Sequence, residues 1–258
     1  MALNIKLDFP EPLNKMLNPI GFAIGNTLSD IWNGVFSDVH LWAATRKAKA
    51  EYELKAYKAS LQEQLSLIPP EYIKEPKLSI IGPALEASKY YIEEPVIRDM
   101  FAKLIASDID SRKTNQVHHA YVDIIKQMSP LDAHILAEFK NPTYLIKCLI
   151  EEYENTDSAY ILTDIYLSDT FTEYKPEISI SMSNLSRLGL IDIPTRNVNI
   201  IPVDEHYEEA INRFNATLLS QSLRREKDNT NSKLKNYSIT SYGAYLTEIG
   251  ASFRTICL

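Results

Sequence analysis

The sequence predicts a mainly α-helical protein, with an N-terminal helical domain followed by a C-terminal α+β domain that contains a few short strands. Apolar residues recur at spacings of three and four through much of the chain, which is the pattern of amphipathic helices. Pro83, Pro95 and Pro130 each precede such a pattern, where a fixed φ angle suits the first helical turn. The segments predicted as strands, or as suiting a strand, all lie after residue 158.

Two helices are predicted upstream of the central region, after an extended arm. Residues 1–18 have no sustained periodicity and contain two prolines, so an arm is expected there. Apolar residues recur at helical spacing from Ile20 to Trp42, which predicts a buried amphipathic helix, although a face for another protomer or for a membrane surface fits the same pattern. Residues 45–67 combine strong helix formers with interleaved charges, which favours a solvent-facing helix.

The central region, residues 75–139, is predicted to consist of consecutive helices. Pro95 opens a helix with one apolar stripe, and a second helix is expected over residues 117–128. The run from Ser129 to Asp132 then predicts the next helix start, because it combines a serine N-cap, a proline at the first position and a carboxylate three residues after the cap. The face opposite the apolar stripe of the Pro95 helix carries Arg98, Asp99, Lys103 and Asp108.

Beyond residue 139 the sequence predicts helices interspersed with short strands. Residues 143–154 have apolar residues at helical spacing and are predicted to be a helix, whereas residues 159–167 suit either a strand or a short helix. A further helix is expected over residues 177–188, with Gly189 as its C-terminal cap. The remaining predicted elements are strands at 190–193, 197–203 and 237–246, a long helix at 204–227 and a last helix from Thr247 to Cys257.

The order of helices, strands and a closing helix after Ser129 is that of a winged-helix unit. Residues 129–258 are therefore predicted to form a winged-helix-like domain, in which the helix at 204–227 is inserted into the wing. Residues 19–128 are predicted to form the separate helical domain.

A winged helix suggests DNA, but the charge of this region argues against it. Residues 129–258 hold 12 Lys and Arg and 18 Asp and Glu, a net charge of −6, and the whole chain carries −7. Because DNA binding draws most of its affinity from neutralised phosphates, an acidic domain is a poor candidate. If nucleic acid does bind, the contacts are expected from Asn184, Arg187, Arg224 and Arg225.

Five segments resemble the Abi-alpha family, a bacterial domain of unknown activity associated with abortive infection. They are IIGPALEASKYYIEE, MFAKLIAS, VHHAYVDIIKQMSPLDAHIL, SNLSRLGLI and LTEIGASFRTIC. The resemblance extends over nearly the whole chain and implies a context, defence against phage. It implies no reaction, because the family pattern supplies no catalytic residues to transfer to this sequence.

The sequence contains none of the common catalytic or nucleotide-binding motifs. No GxGxxG, GxxxxGK[ST], HExxH or GxSxG string is present, so no enzyme activity and no cofactor are expected. The nearest approach to a site is the pair His118 and His119 with Asp123, whose side chains are suitable ligands for Zn²⁺ or a similar ion. The simpler interpretation is that these histidines form local hydrogen bonds at a helix start.

Composition favours a protein of the reducing cytoplasm. The chain has 258 residues and two cysteines, too few for a disulfide scaffold, and its N-terminus lacks a basic segment and a cleavage-like site. The longest stretch without a charged residue, Met16–Ser29, has 14 residues and is too short and too polar to span a bilayer. No transmembrane helix is expected.

Three functional hypotheses follow. The favoured one is a non-enzymatic antiphage protein that recognises a protein partner or assembles with itself, with a phage or host component as an unidentified trigger. The second is a winged-helix regulator that binds nucleic acid. The third is a toxic effector that disrupts membranes through the helix at residues 20–42.

Overall fold

The structure, a computed structural model, describes residues 19–36, 47–152, 159–194, 205–230 and 232–258. Within these ranges the chain forms ten α-helices and one four-stranded antiparallel sheet. The prediction of a mainly α-helical protein with a few strands is therefore confirmed. The predicted arm, residues 1–18, and the predicted strand at 197–203 lie outside the described residues.

The described elements are spread along the whole chain. Six helices precede the sheet: α1 (Pro19–Phe36), α2 (Lys47–Ser66), α3 (Leu78–Ser88), α4 (Pro95–Ile109), α5 (Ala120–Lys126) and α6 (Pro130–Glu138). They are followed by β1 (Thr143–Glu152), β2 (Ala159–Ile165), α7 (Pro176–Arg187), β3 (Ile191–Asp192), α8 (Glu205–Ala216), α9 (Leu218–Asp228), β4 (Leu234–Leu246) and α10 (Glu248–Cys257). Two short 3₁₀ helices occupy Pro70–Tyr72 and Ser111–Lys113.

The chain divides into two compact units. Unit 1 comprises residues 1–133 together with residues 252–258, and unit 2 comprises residues 134–251. The division falls within α6 and α10, so each of these helices contributes residues to both units.

Helix α4 forms the centre of unit 1, and α2, α3 and α5 all pack against it. Its predicted apolar stripe is buried, but two residues of its other face are buried as well. Arg98 is 8% exposed and Asp108 is fully buried. The Arg98 guanidinium donates a hydrogen bond of 2.8 Å to Glu53 on α2, and Asp108 accepts the backbone N–H of Lys77 at 2.7 Å. A helix enclosed by three others has little solvent-facing surface, which is why the charged face did not remain exposed.

Two of the three proline-based helix starts are correct. Helix α4 begins at Pro95 and α6 begins at Pro130. At the second start, Ser129 and Asp132 exchange hydrogen bonds: the backbone N–H of Ser129 donates to the Asp132 carboxylate at 2.7 Å, and the backbone N–H of Asp132 donates to Ser129 Oγ at 3.1 Å. The interpretation of Pro83 as a helix entry is wrong, because Pro83 lies inside α3.

This reciprocal cap predicts a measurable loss when its hydroxyl is removed. Ser129→Ala leaves the backbone N–H of Asp132 without its acceptor, and we expect the free energy of unfolding to fall by about 1 kcal/mol. Urea unfolding monitored by circular dichroism measures this change. Ser129→Thr keeps a hydroxyl at the same place and is expected to remain close to the wild type, so an equal loss in both variants would contradict the capping argument.

Unit 2 is built around the sheet, whose strands lie in the order β2-β1-β4-β3. β1 pairs with β2 on one side and along its whole length with β4 on the other. Helices α8 and α9 contribute buried side chains to the hydrophobic core on this sheet. The core residues are Ile146, Cys148, Ile150, Ile165, Ala210, Phe214 and Leu223.

Two predicted elements of unit 2 differ in the structure. The helix predicted at residues 143–154 is strand β1, because pairing with strands on both sides satisfies its backbone and buries Ile146 and Ile150. The long helix predicted at residues 204–227 is two helices, broken at Thr217, whose side chain caps α9 by accepting the Ser220 N–H at 3.1 Å. The predicted order of consecutive helices before the strands therefore does not hold.

Other predictions for unit 2 are confirmed. The sequence of residues 159–167 was compatible with a strand or a short helix, and the structure contains strand β2 there. Residues 237–246, predicted as a strand, belong to the longer strand β4. Helix α7 ends as expected at Gly189, which has a φ angle of 72°, a conformation that glycine adopts without strain.

Candidate functional site

The three residues considered as a weak metal-site candidate, His118, His119 and Asp123, have different surroundings in the structure. His118 Nδ1 accepts the backbone N–H of Ala120 at 3.1 Å, a local bond at the start of α5. His119 and Asp123 instead line a groove between α3 and α5. Across the described ranges no group of three or more His, Cys, Asp and Glu side chains is placed to hold a metal ion.

This groove, called here the α3–α5 groove, is a candidate site in the described part of unit 1. It has a volume of about 490 Å³. Aromatic and aliphatic side chains make up its walls, and charged side chains stand at its edges. The residues that line it are Ser79, Pro83, Glu86, Ala87, Tyr90, Tyr91, His119, Val122, Asp123 and Lys126.

Two adjacent tyrosines give the groove one fixed and one accessible aromatic ring. The hydroxyl of Tyr91 donates to the backbone carbonyl of Lys126 at 2.7 Å, which ties the end of α3 to the end of α5. The Tyr91 ring also lies 5.9 Å from the ring of Phe101. Tyr90 is 57% exposed, and Lys89 Nζ lies 5.1 Å from the centre of its ring.

A proline inside α3 alters the backbone on the same surface. Pro83 has no N–H, so the carbonyl of Ser79, four residues earlier, does not receive the hydrogen bond that a helix normally provides there. Both residues line the α3–α5 groove. This carbonyl therefore lacks the i+4 hydrogen bond of a regular helix.

The charges at the edge of the groove form local pairs. Glu86 pairs with Lys89, and its carboxylate raises the pKa of that lysine by accepting a hydrogen bond from it. Asp123 pairs with Lys126 at 3.0 Å. Both pairs are exposed, so they contribute little to stability, and their net charge is close to zero. The edge of the groove is therefore polar, but it has no net charge that would favour an anionic or a cationic ligand.

Sequence reasoning found two residues of this groove and missed the aromatic ones. The signal was present in the sequence: a Tyr-Tyr pair about two helical turns after Pro83, a proline that lies inside a helix. The interpretation of Pro83 as a helix start concealed this relation, because a helix that begins at Pro83 does not contain Ser79.

The four predicted nucleic-acid contacts lie on two helices of unit 2. Asn184 and Arg187 are on α7, and the Arg187 guanidinium donates to Asn184 Oδ1 at 2.7 Å. On α9, Arg224 donates to Asn215 at 2.7 Å, and Arg225 lies in the last turn. Two of the three arginines are thus bonded to neutral neighbours of their own unit.

The model of the abortive infection alpha family matches residues 49–257. The chain belongs to the abortive infection alpha family. The match covers the whole α3–α5 groove, so the groove lies in the part of the chain that carries the abortive infection alpha assignment. No curated protein and no solved structure matches the chain significantly. None of the helices described is both long enough and apolar enough to cross a membrane.

Proposed function

We propose that this protein acts in abortive infection by binding another protein in the α3–α5 groove, and that it does so without catalysing a reaction. Membership of the abortive infection alpha family supports the biological role. The observation that carries the binding proposal is the exposed Tyr90 beside the anchored Tyr91 in a preformed groove.

The chemistry of the groove favours a protein segment as its ligand. Tyrosine is enriched at protein interfaces because its rigid ring supplies apolar contact area and its hydroxyl a polar handle. Tyr91 is already held by its bond to α5, so binding costs little side-chain entropy there. The Ser79 carbonyl offers an acceptor for a backbone or side-chain N–H. We therefore expect a partner segment that places an apolar side chain beside Tyr90 and a donor over Ser79.

Antiphage protection in a phage-challenged host tests this proposal. We expect Tyr90→Ala to weaken binding of the partner by about 30-fold, the effect of losing a residue that contributes about 2 kcal/mol, and to reduce protection as a result. Efficiency of plating on cells that express each variant at equal level is the measurement. Tyr52→Ala, which removes a tyrosine that is 70% exposed on α2, is the matched control and is expected to protect like the wild type.

A photo-crosslinking experiment separates binding from other causes of lost protection. A photoreactive phenylalanine at position 90 is expected to give a specific crosslinked protein, whereas the same residue at position 52 is not. Full protection by Tyr90→Ala, or identical crosslinks from both positions, would contradict the use of this groove. A wild-type chain that protects against no phage in a broad panel would contradict the antiphage role itself.

The alternatives receive less support. The winged-helix interpretation of residues 129–258 and its use with nucleic acid remain predictions, which the net charge of −6 and the bonded Arg187 and Arg224 do not favour. Membrane disruption by residues 20–42 and self-association are also predictions. We further propose a cytoplasmic location, which the two free and buried cysteines support.

A further inference from the structure

A second cavity of unit 1 has a different chemistry from the α3–α5 groove. Its volume is about 200 Å³, and it lies between α4, the 3₁₀ helix Ser111–Lys113 and the last residues of the chain. Three cationic side chains line it, from Lys103, Arg112 and Lys113, against one carboxylate, that of Asp110. This excess of positive charge occurs in a chain with a net charge of −7.

The ammonium group of Lys113 is held in place by a buried hydroxyl. Lys113 Nζ donates to Ser107 Oγ at 3.2 Å, and Ser107 in turn donates to the backbone carbonyl of Ile256 at 3.3 Å. Ser107 is 2% exposed, so the hydroxyl that holds the Lys113 ammonium group is buried. An ammonium group has three donors, and this arrangement uses one of them. Among the described residues, Lys113 forms no ion pair with a carboxylate.

Lys103 faces the same space from α4. Its ammonium group donates to a backbone oxygen of Leu258, which again uses one of three donors. Burial raises the pKa of the Cys257 thiol, and the ammonium groups of Lys103 and Lys113 both act in the opposite direction. Both lysines line the cavity, together with Thr255, Ile256 and Leu258.

Arg112 and Asp110 form the neutral side of the cavity. Arg112 donates through Nε and Nη2 to the two carboxylate oxygens of Asp110, at 2.9 and 2.7 Å, and its guanidinium lies 4.9 Å from the centre of the Tyr72 ring. The bond from Arg112 lowers the pKa of Asp110, so this carboxylate stays ionised and paired. The charges of this pair cancel, so the positive charge of the cavity lining comes from the two lysines, of which Lys103 is already bonded to an oxygen of Leu258.

We infer that this cavity, called here the Lys103–Lys113 cavity, binds a small phosphate-bearing anion, either free phosphate or the phosphate group of a small monoester. Two positioned ammonium groups with donors to spare match the three or four acceptor oxygens of such a group. The volume is below the ~300–1,000 Å³ of sites for drug-sized ligands, which fits one phosphate group better than a larger molecule. The inference does not depend on the function proposed for the α3–α5 groove.

Isothermal titration calorimetry of the full chain with inorganic phosphate, at constant ionic strength, tests this inference. We expect saturable binding by the wild type and about tenfold or greater weakening in Lys113→Gln, the usual effect of losing one charge-assisted hydrogen bond. Lys55→Ala removes an exposed lysine of α2 that does not line the cavity and is expected to bind phosphate like the wild type. Sodium chloride titrated in place of phosphate is expected to give no saturable heat.

Two further experiments identify which molecule carries the phosphate group and control for variants that do not fold. Glycerol phosphate is expected to bind like phosphate if the ligand is a soluble monoester, whereas preferential sedimentation with vesicles of phosphatidylcholine containing phosphatidic acid would assign the site to a lipid headgroup. If Lys113→Gln unfolds, as circular dichroism would reveal, Lys103→Gln takes its place. Absence of saturable phosphate binding in the wild type, or unchanged affinity in a folded lysine variant of the cavity, would overturn the inference.

Discussion

Replacing Gly250 with alanine is expected to destabilise the folded protein by about 3 kcal/mol, the upper part of the range for overpacking a close contact. A Cβ atom at this position would lie 1.9 Å from the backbone carbonyl oxygen of Leu190, a distance that no side-chain rotation can relieve. That carbonyl is held in place because it accepts the backbone N–H of Thr247 at 3.1 Å. Alanine would favour the helix by about 1 kcal/mol, which is too little to compensate for the clash.

Thermal and urea unfolding of the full chain measure this loss. Ile249→Ala changes the neighbouring residue, which is 36% exposed, and is expected to cost less than about 1 kcal/mol. The comparison isolates the backbone contact, because both variants alter the first turn of α10. A Gly250→Ala protein as stable as the Ile249→Ala protein would mean that α10 moves away from Leu190 at little cost.

Removing the buried Arg98 alone is expected to cost about 3–5 kcal/mol. Arg98→Met leaves the carboxylate of Glu53, whose side chain is 15% exposed, without its cation at 2.8 Å. The bond from Arg98 to the carbonyl of Ile92 at 3.1 Å is lost as well. Unfolding in urea at neutral pH gives the difference between Arg98→Met and the wild type.

The double variant provides the control for this experiment. Glu53→Leu with Arg98→Met replaces both charges by apolar side chains of similar size, and its stability is expected to be close to that of the wild type or above it. A double variant that is as unstable as Arg98→Met would indicate that packing volume, and not the unpaired carboxylate, determines the loss.

The helical part of this protein was predictable where local signals determine the structure. The serine cap and carboxylate of the Ser129 motif act within four residues, and the structure contains the expected pair of hydrogen bonds. Strand β1 was not predictable in this way, because its apolar residues fit a helix equally well and only pairing with β2 and β4 decides the outcome. The burial of Arg98 and Asp108 could not be predicted either, because it depends on which helices pack around α4.

The candidate site was predictable in part. His119 and Asp123, four residues apart on α5, were expected on one surface, and both line the α3–α5 groove. The other wall comes from α3, more than 30 residues earlier in the sequence, and no spacing rule links Tyr90 to Asp123. The Lys103–Lys113 cavity could not be predicted from the sequence, because only the fold brings its lysines next to residues 255–258.

The composition of unit 1 has a consequence for biosynthesis. Phe253 is fully buried in this unit, with its ring 5.2 Å from the ring of Tyr121, and Ser252 donates to the carbonyl of Gln116 at 3.0 Å. The ribosome makes these last residues only after the whole of unit 2 has been synthesised. The core of unit 1 is therefore completed only after unit 2 has been synthesised, and a chain that stops before residue 252 lacks the side chains that complete it.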